Sequence, residues 1–140
     1  MQNEIGYALT RHIGDRTGVK VVQIFDGISL PTEKPFVTVE ALANAVTKVS
    51  KQRESMRKTY RFQIGLYAKS LSDRNARQDE LERLFLFEKF PLYQNPSQPA
   101  TGSFLVDLIN ATPIPSDKLE DENTKFRVFF DIEVTTYLRK

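Results

Sequence analysis

Two stretches of the chain alternate with a period of two, residues 60–69 (YRFQIGLYAK) and 126–138 (FRVFFDIEVTTYL), with more than fifty residues between them. In the second, Phe126, Val128, Phe130, Ile132 and Val134 fall on one side of a strand, and Arg127, Phe129, Asp131, Glu133 and Thr135 on the other. That is the signature of a half-buried antiparallel strand, with one side facing a core and one facing water. The two stretches are expected to pair across the long separation, so the fold must bring distant segments into one sheet.

The rest of the chain has to supply what covers that sheet. At 140 residues, with 40% hydrophobic and 27% charged positions, it has the make-up of one globular domain with a single core. Ile5, Leu9 and Ile13 recur at helical spacing and Gly18 follows the last turn, which predicts a short amphipathic helix with a glycine stop. Residues 19–25 (VKVVQIF) read as a strand closed by Asp26-Gly27, with Pro31 and Pro35 fencing the loop beyond. Residues 36–45 (FVTVEALANA) begin with alternation and are also taken as a strand. Ser72-Asp73 is expected to cap a second helix over 73–87, carrying Leu81, Leu84 and Phe85 inward and interleaved charges such as Asp79 and Arg83 outward. Residues 90–103, with three prolines, read as an irregular connection, and 104–109 (FLVDLI) as a further short strand ended by Pro113 and Pro115. The expected class is α+β, a mainly antiparallel sheet with two helices packed on one face.

Residues 46–58 (VTKVSKQRESMRK) are polar, basic and free of Gly and Pro, and predict an extended basic hairpin arm. From Thr47 to Arg61 six cations face one acid, Glu54. Charged residues on such an arm could simply blunt exposed strand edges; they could also meet a partner. The loop before the last strand carries Asp117, Glu120, Asp121 and Glu122, so the chain is expected to bear two oppositely charged patches suited to head-to-tail subunit contacts. Lys48, Lys51, Arg53, Arg57 and Lys58 are the candidate contact residues on the basic side, and those four acids on the other.

Chemistry is scarce. The chain has one histidine, no cysteine and no tryptophan, and shows no glycine-rich loop and no close set of acid, base and nucleophile. His12 lies beside Leu9 and Ile13 and reads as a packing or surface histidine. Asp26-Gly27 lacks the alternating oxygen ligands of a calcium loop, and the acids at 117–122 read as a solvated loop. No catalytic residue, cofactor or metal is expected, and the chain is read as no enzyme. The first residues lack the apolar core of a signal peptide, and no apolar run approaches the roughly 20 residues of a membrane helix. Absence of cysteine suits a reducing compartment. A net charge of +2 does not by itself call for nucleic acid; the basic arm could contact phosphates, but no RNA-recognition, OB-type or helix-turn-helix motif surrounds it.

Taken in order, the N-terminal helix, the Lys34-Pro35-Phe36-Val37-Thr38 start of a strand, the basic link into YRFQIGLYAKS, the helix SDRNARQDELERLF and the final strand with Asp131, Glu133 and Thr135 resemble the small tail terminator proteins of long-tailed bacteriophages. These are also called tail completion or tail-to-head joining proteins. The resemblance spans nearly the whole chain and rests on element order, not on a diagnostic motif. It implies a single domain over 1–140, assembled in the bacterial host cytoplasm into a hexameric ring of the virion neck that caps the tail tube and meets the head connector. Tube and connector proteins would be its partners, with nucleic acid only passing through the ring and no membrane involved. Tail-tube and head-closure subunits are the nearest alternatives, and a small basic nucleic-acid-binding module is a more distant one.

Overall fold

A computed structural model describes residues 1–25, 28–48, 55–114 and 126–139. The elements are α1 (Gln2–Thr17), β1 (Lys20–Gln23), β2 (Phe36–Ala41), β3 (Ala45–Lys48), β4 (Ser55–Ala68), α2 (Leu71–Phe87), β5 (Phe90–Leu92), β6 (Gly102–Phe104), β7 (Asp107–Pro113) and β8 (Phe126–Arg139). The class is α+β. The main sheet runs β1-β2-β4-β8-β7, with β3 also paired to β4; every pairing in it is antiparallel except β1 with β2.

The expected pairing of the two alternating stretches forms the centre of the sheet. Over fourteen residues β4 and β8 run antiparallel, setting Tyr60 opposite Val134, Phe62 opposite Ile132, Ile64 opposite Phe130 and Leu66 opposite Val128. Directly opposed residues share a face, and these eight side chains are all buried. Val37 and Val39 of β2 extend the same surface, opposite Leu66 and Ile64. One core cluster joins them to Ile5, Leu9 and Ile13 of α1 and to Leu81, Leu84 and Phe85 of α2. The 3.6-residue spacing on the helices and the two-residue spacing on the strands thus meet in a common interior.

Helix ends follow local rules. Gly18 terminates α1 with φ 71°, donating its N–H to the Gly14 carbonyl, a backbone conformation that glycine adopts without steric cost. The second helix begins two residues earlier than the sequence suggested, because Ser70 and not Ser72 is its cap. Ser70 Oγ accepts from the Asp73 N–H while the Asp73 carboxylate accepts from the Lys69 N–H, so the side chains satisfy N–H groups around the first turn. On its outer face Arg77 pairs with Asp73 and Glu80, whereas Arg83 lies over the Phe87 ring.

Two further expectations are corrected. The connection after α2 is not wholly irregular, since β5 and β6 form a small separate hairpin that seats Phe90 in the core. The strand expected over 104–109 instead occupies 107–113, with a register shift between Leu108 and Asn110. Phe104 belongs to β6 and stacks on Phe90 with centroids 5.6 Å apart, a tertiary contact with no periodic signature. Asp26 and Gly27 lie outside the described residues.

On the other face of the sheet, Gly65 sits between Thr38 and Phe129 in the strand register. A Cβ there would come within 2.5 Å of Thr38 Oγ1, 3.1 Å of a Tyr67 ring carbon and 3.2 Å of a Phe129 ring carbon. Glycine is what lets the Tyr67 ring, stacked on Phe36 at 4.6 Å, stay close to the strand. Burial pushes the Tyr67 phenol above its usual pKa.

Candidate assembly surface

The sheet is longer than its core. Tyr60 and Val134 are the last core residues on β4 and β8 in the direction of Ser55 and Arg139. Beyond them β4 continues for five residues, flanked by β3 on one side and by the end of β8 on the other. At about 3.3 Å per residue, this three-stranded extension runs roughly 17 Å past the core. β-branched Val46, Thr47, Thr59, Thr135 and Thr136 favour the extended backbone there.

Its two faces differ. Thr47, Arg57 and Tyr137 form one row across the three strands, followed by Ala45, Thr59 and Thr135. Tyr137 is 64% exposed, and Arg57 and Thr47 are exposed beside it. Val46, Lys58 and Thr136 form the row on the opposite face, where Val46 is 62% exposed and the Lys58 ammonium lies 4.8 Å from the centroid of the Tyr60 ring. Where the extension meets the body, Arg61 Nε donates to Glu133 Oε1 at 3.2 Å across directly opposed positions.

Of the residues singled out from the sequence, Arg57 and Lys58 lie on β4 and Lys48 ends β3. Lys51 and Arg53 lie outside the described residues, as do Asp117, Glu120, Asp121 and Glu122. The described strands still fix where those segments attach. Residues 49–54 join β3 to β4 at the Ser55 end of the central ladder, and 115–125 lead into Phe126, which pairs with Ala68 at the other end. Thirteen residue steps along β4, from Ser55 to Ala68, about 43 Å, separate the two attachment points.

Sequence reasoning missed Tyr137 and Val46. A signal was present: the stretch at 126–138 is longer than the one at 60–69, so its surplus had to find a partner upstream of Tyr60.

Two other features adjoin this region. A groove of about 570 Å³ lies where the extension leaves the body, lined by residues that include Met1, Ile5, Leu92, Phe104, Leu105 and Thr136. Thr136 Oγ1 is buried without a hydrogen-bond partner. Farther away, Glu88 joins the two helices: Arg16 Nε donates to Oε1 at 3.0 Å and Nη2 to Oε2 at 3.1 Å, while His12 Nε2 lies 3.0 Å from Oε1. Arg16, with His12 adding to it, holds the Glu88 carboxyl below the usual carboxylate range. The His12 ring packs on Phe90 with centroids 4.7 Å apart, so its surroundings are those of a packed, hydrogen-bonded side chain. Among the described residues no group of three or more His, Cys, Asp or Glu could hold a metal ion, and no helix is long and apolar enough to cross a membrane.

No protein-family model matches this sequence, and no curated protein matches it either.

Proposed function

We propose that this chain is a structural virion protein of the tail-terminator kind, a subunit that closes into a ring, caps a tail tube and presents its other side to the head connector. In this reading both helices cover one face of the sheet, and the basic hairpin arm over 46–58 reaches the neighbouring subunit or the tube. The arm is the observation that carries the proposal. Three strands continue past the core with Val46 and Tyr137 exposed and cations on both faces, and exposed large apolar groups on an extension of that kind are typical of contact surfaces. The attachment of the basic and acidic segments at opposite ends of the β4–β8 ladder suits heterologous, head-to-tail contacts, the type that closes a ring. The chain is read as no enzyme, acting in the virion after assembly in the host cytoplasm.

Purified protein mixed with tail-tube protein and imaged by negative stain tests the reading. Rings at the ends of tubes that stop growing are expected; open-ended polymers of this chain would make it a tube subunit instead.

One observation favours a second reading. Tyr137, 64% exposed, lies directly opposite the exposed Arg57, giving a basic and an aromatic group together as in single-strand nucleic-acid binders. That reading requires a mobility shift of DNA that weakens steeply with salt.

A further inference from the structure

β7 starts at Asp107, opposite Glu133, and β8 continues beyond that point from Val134 to Arg139. Among the described residues, β4 is the only strand paired with this stretch, so its other side is an open edge of roughly 20 Å. Alternate residues of an antiparallel strand turn both N–H and C=O to the same side, and those of 134–139 that face away from β4 have no ladder to join. The groove of about 570 Å³ lies against this edge. Val134, Thr135 and Thr136 all line it; because neighbours along a strand point to opposite faces, three in a row border a groove only where its wall includes the strand backbone. Ser103, Phe104 and Leu105, again consecutive, line it from β6 and the turn toward β7.

We propose that this groove seats an extended segment of a partner protein, which pairs with β8 over 134–139 as a further strand and carries apolar side chains at alternate positions with acidic ones between. This seat does not depend on the ring reading above. Pairing along a free edge selects an extended polypeptide, with main-chain bonds giving affinity and pockets for alternate side chains giving specificity. Ile5, Leu92, Phe104 and Leu105 supply the apolar pockets, Leu105 being 62% exposed. Thr136 Oγ1, buried in the same wall without a partner, is a hydrogen-bonding group for the entering chain to satisfy.

Charge complementarity sets the polar half of the partner. The described residues of the extension, 45–48, 55–61 and 134–139, include five bases, Lys48, Arg57, Lys58, Arg61 and Arg139, and no acid. Lys58 lies directly opposite Thr136, and Lys89 lines the groove, whereas its one acidic lining residue, Asp107, stands where β7 begins. A second copy of this chain offers no such strand among its described edges: β1 reads KVVQ, β3 reads AVTK, and β7 holds Asp107 as its single acid.

The test is fluorescence anisotropy of a labelled peptide of alternating valine and glutamate, about ten residues long, titrated with the full chain. The same peptide with lysine for glutamate is the charge control. Leu105→Glu blocks the groove, and Leu71→Glu makes the same change on an exposed residue at the Ala68 end of the ladder; circular dichroism melts check that both variants fold. The glutamate peptide is expected to bind saturably, at least about tenfold more tightly than the lysine peptide, and more weakly as salt is raised. Leu105→Glu should weaken it about tenfold or more and Leu71→Glu should not. In the wild type, amide hydrogen exchange should slow within 134–139 when peptide is bound, a readout that needs no variant. Absence of binding by the glutamate peptide overturns the proposal, as does binding indifferent to Leu105→Glu or binding that leaves exchange over 134–139 unchanged. Self-association of the wild type that Leu105→Glu abolishes, with no peptide bound, would overturn it by assigning the groove to a second copy.

Discussion

The two halves of β4 are one unbroken strand with opposite surroundings. From Tyr60 to Ala68 it has β8 on one side and, over Phe62 to Tyr67, β2 on the other, and Tyr60, Phe62, Ile64, Leu66 and Ala68 are buried. From Ser55 to Thr59 it has β3 and β8 as neighbours and no buried residue at all. The backbone hydrogen-bond pattern is continuous, so the ladder alone does not distinguish them. What differs is apolar burial, the main favourable contribution to folding. The inner half is held by the core and the outer half by strand pairing only, which is how a protein builds a projecting surface from the same strand that organises its interior.

That comparison orders the expected effects of substitution. The largest belongs to the inner half: Phe130, fully buried opposite Ile64 and packed edge-on against Phe85 at 5.7 Å, should lose about 3–5 kcal/mol of stability on replacement by alanine, read by urea unfolding. Gly65→Ala comes next. Its Cβ would press on Thr38 and on two aromatic rings, and overpacking of this kind costs about 1–3 kcal/mol. Pairing Gly65→Ala with Thr38→Ala should recover part of the loss, because the nearest clash is with the Thr38 hydroxyl.

A smaller effect belongs to Glu88, at the junction of the helices. Its folded pKa is lowered, so its contribution is complete above the unfolded value near 4.5 and disappears as pH falls through the lower folded one. Wild type should therefore be slightly more stable than Glu88→Gln at neutral pH, with the two thermal melts converging in acid. Exposure of Arg16 to solvent keeps this effect small. The smallest effect on folding belongs to the outer half. Tyr137→Ala should change stability by no more than about 0.5 kcal/mol, and a large loss there would show that the arm belongs to the core after all.

The inner half was also the more legible. Period-two alternation identified both central strands and the residues they bury, because one side of each faces a dry interior and the other faces water. Helical spacing likewise marked α1, and Gly18 marked its end. Legibility failed where tertiary contact decides. The β5–β6 hairpin is three residues a side, and it exists because Phe90 and Phe104 stack in the core, which no local pattern announces. Ser70 and Ser72 are both plausible caps by residue type, and only the reciprocal Lys69–Asp73 bond selects the first. On the arm, the charge of 48–58 was visible as composition, but the contribution of 134–140 was not, since it depends on the register that brings Tyr137 beside Arg57.

The central claim is that the outer half of this strand pair is an assembly surface. Light scattering of the purified wild type over a wide concentration range tests it most directly. The account predicts a concentration-driven transition from monomer to one closed species of fixed mass, near six protomers, that grows no further and dissolves as salt is raised. A mass that remains monomeric throughout, or one that climbs without limit, would contradict it.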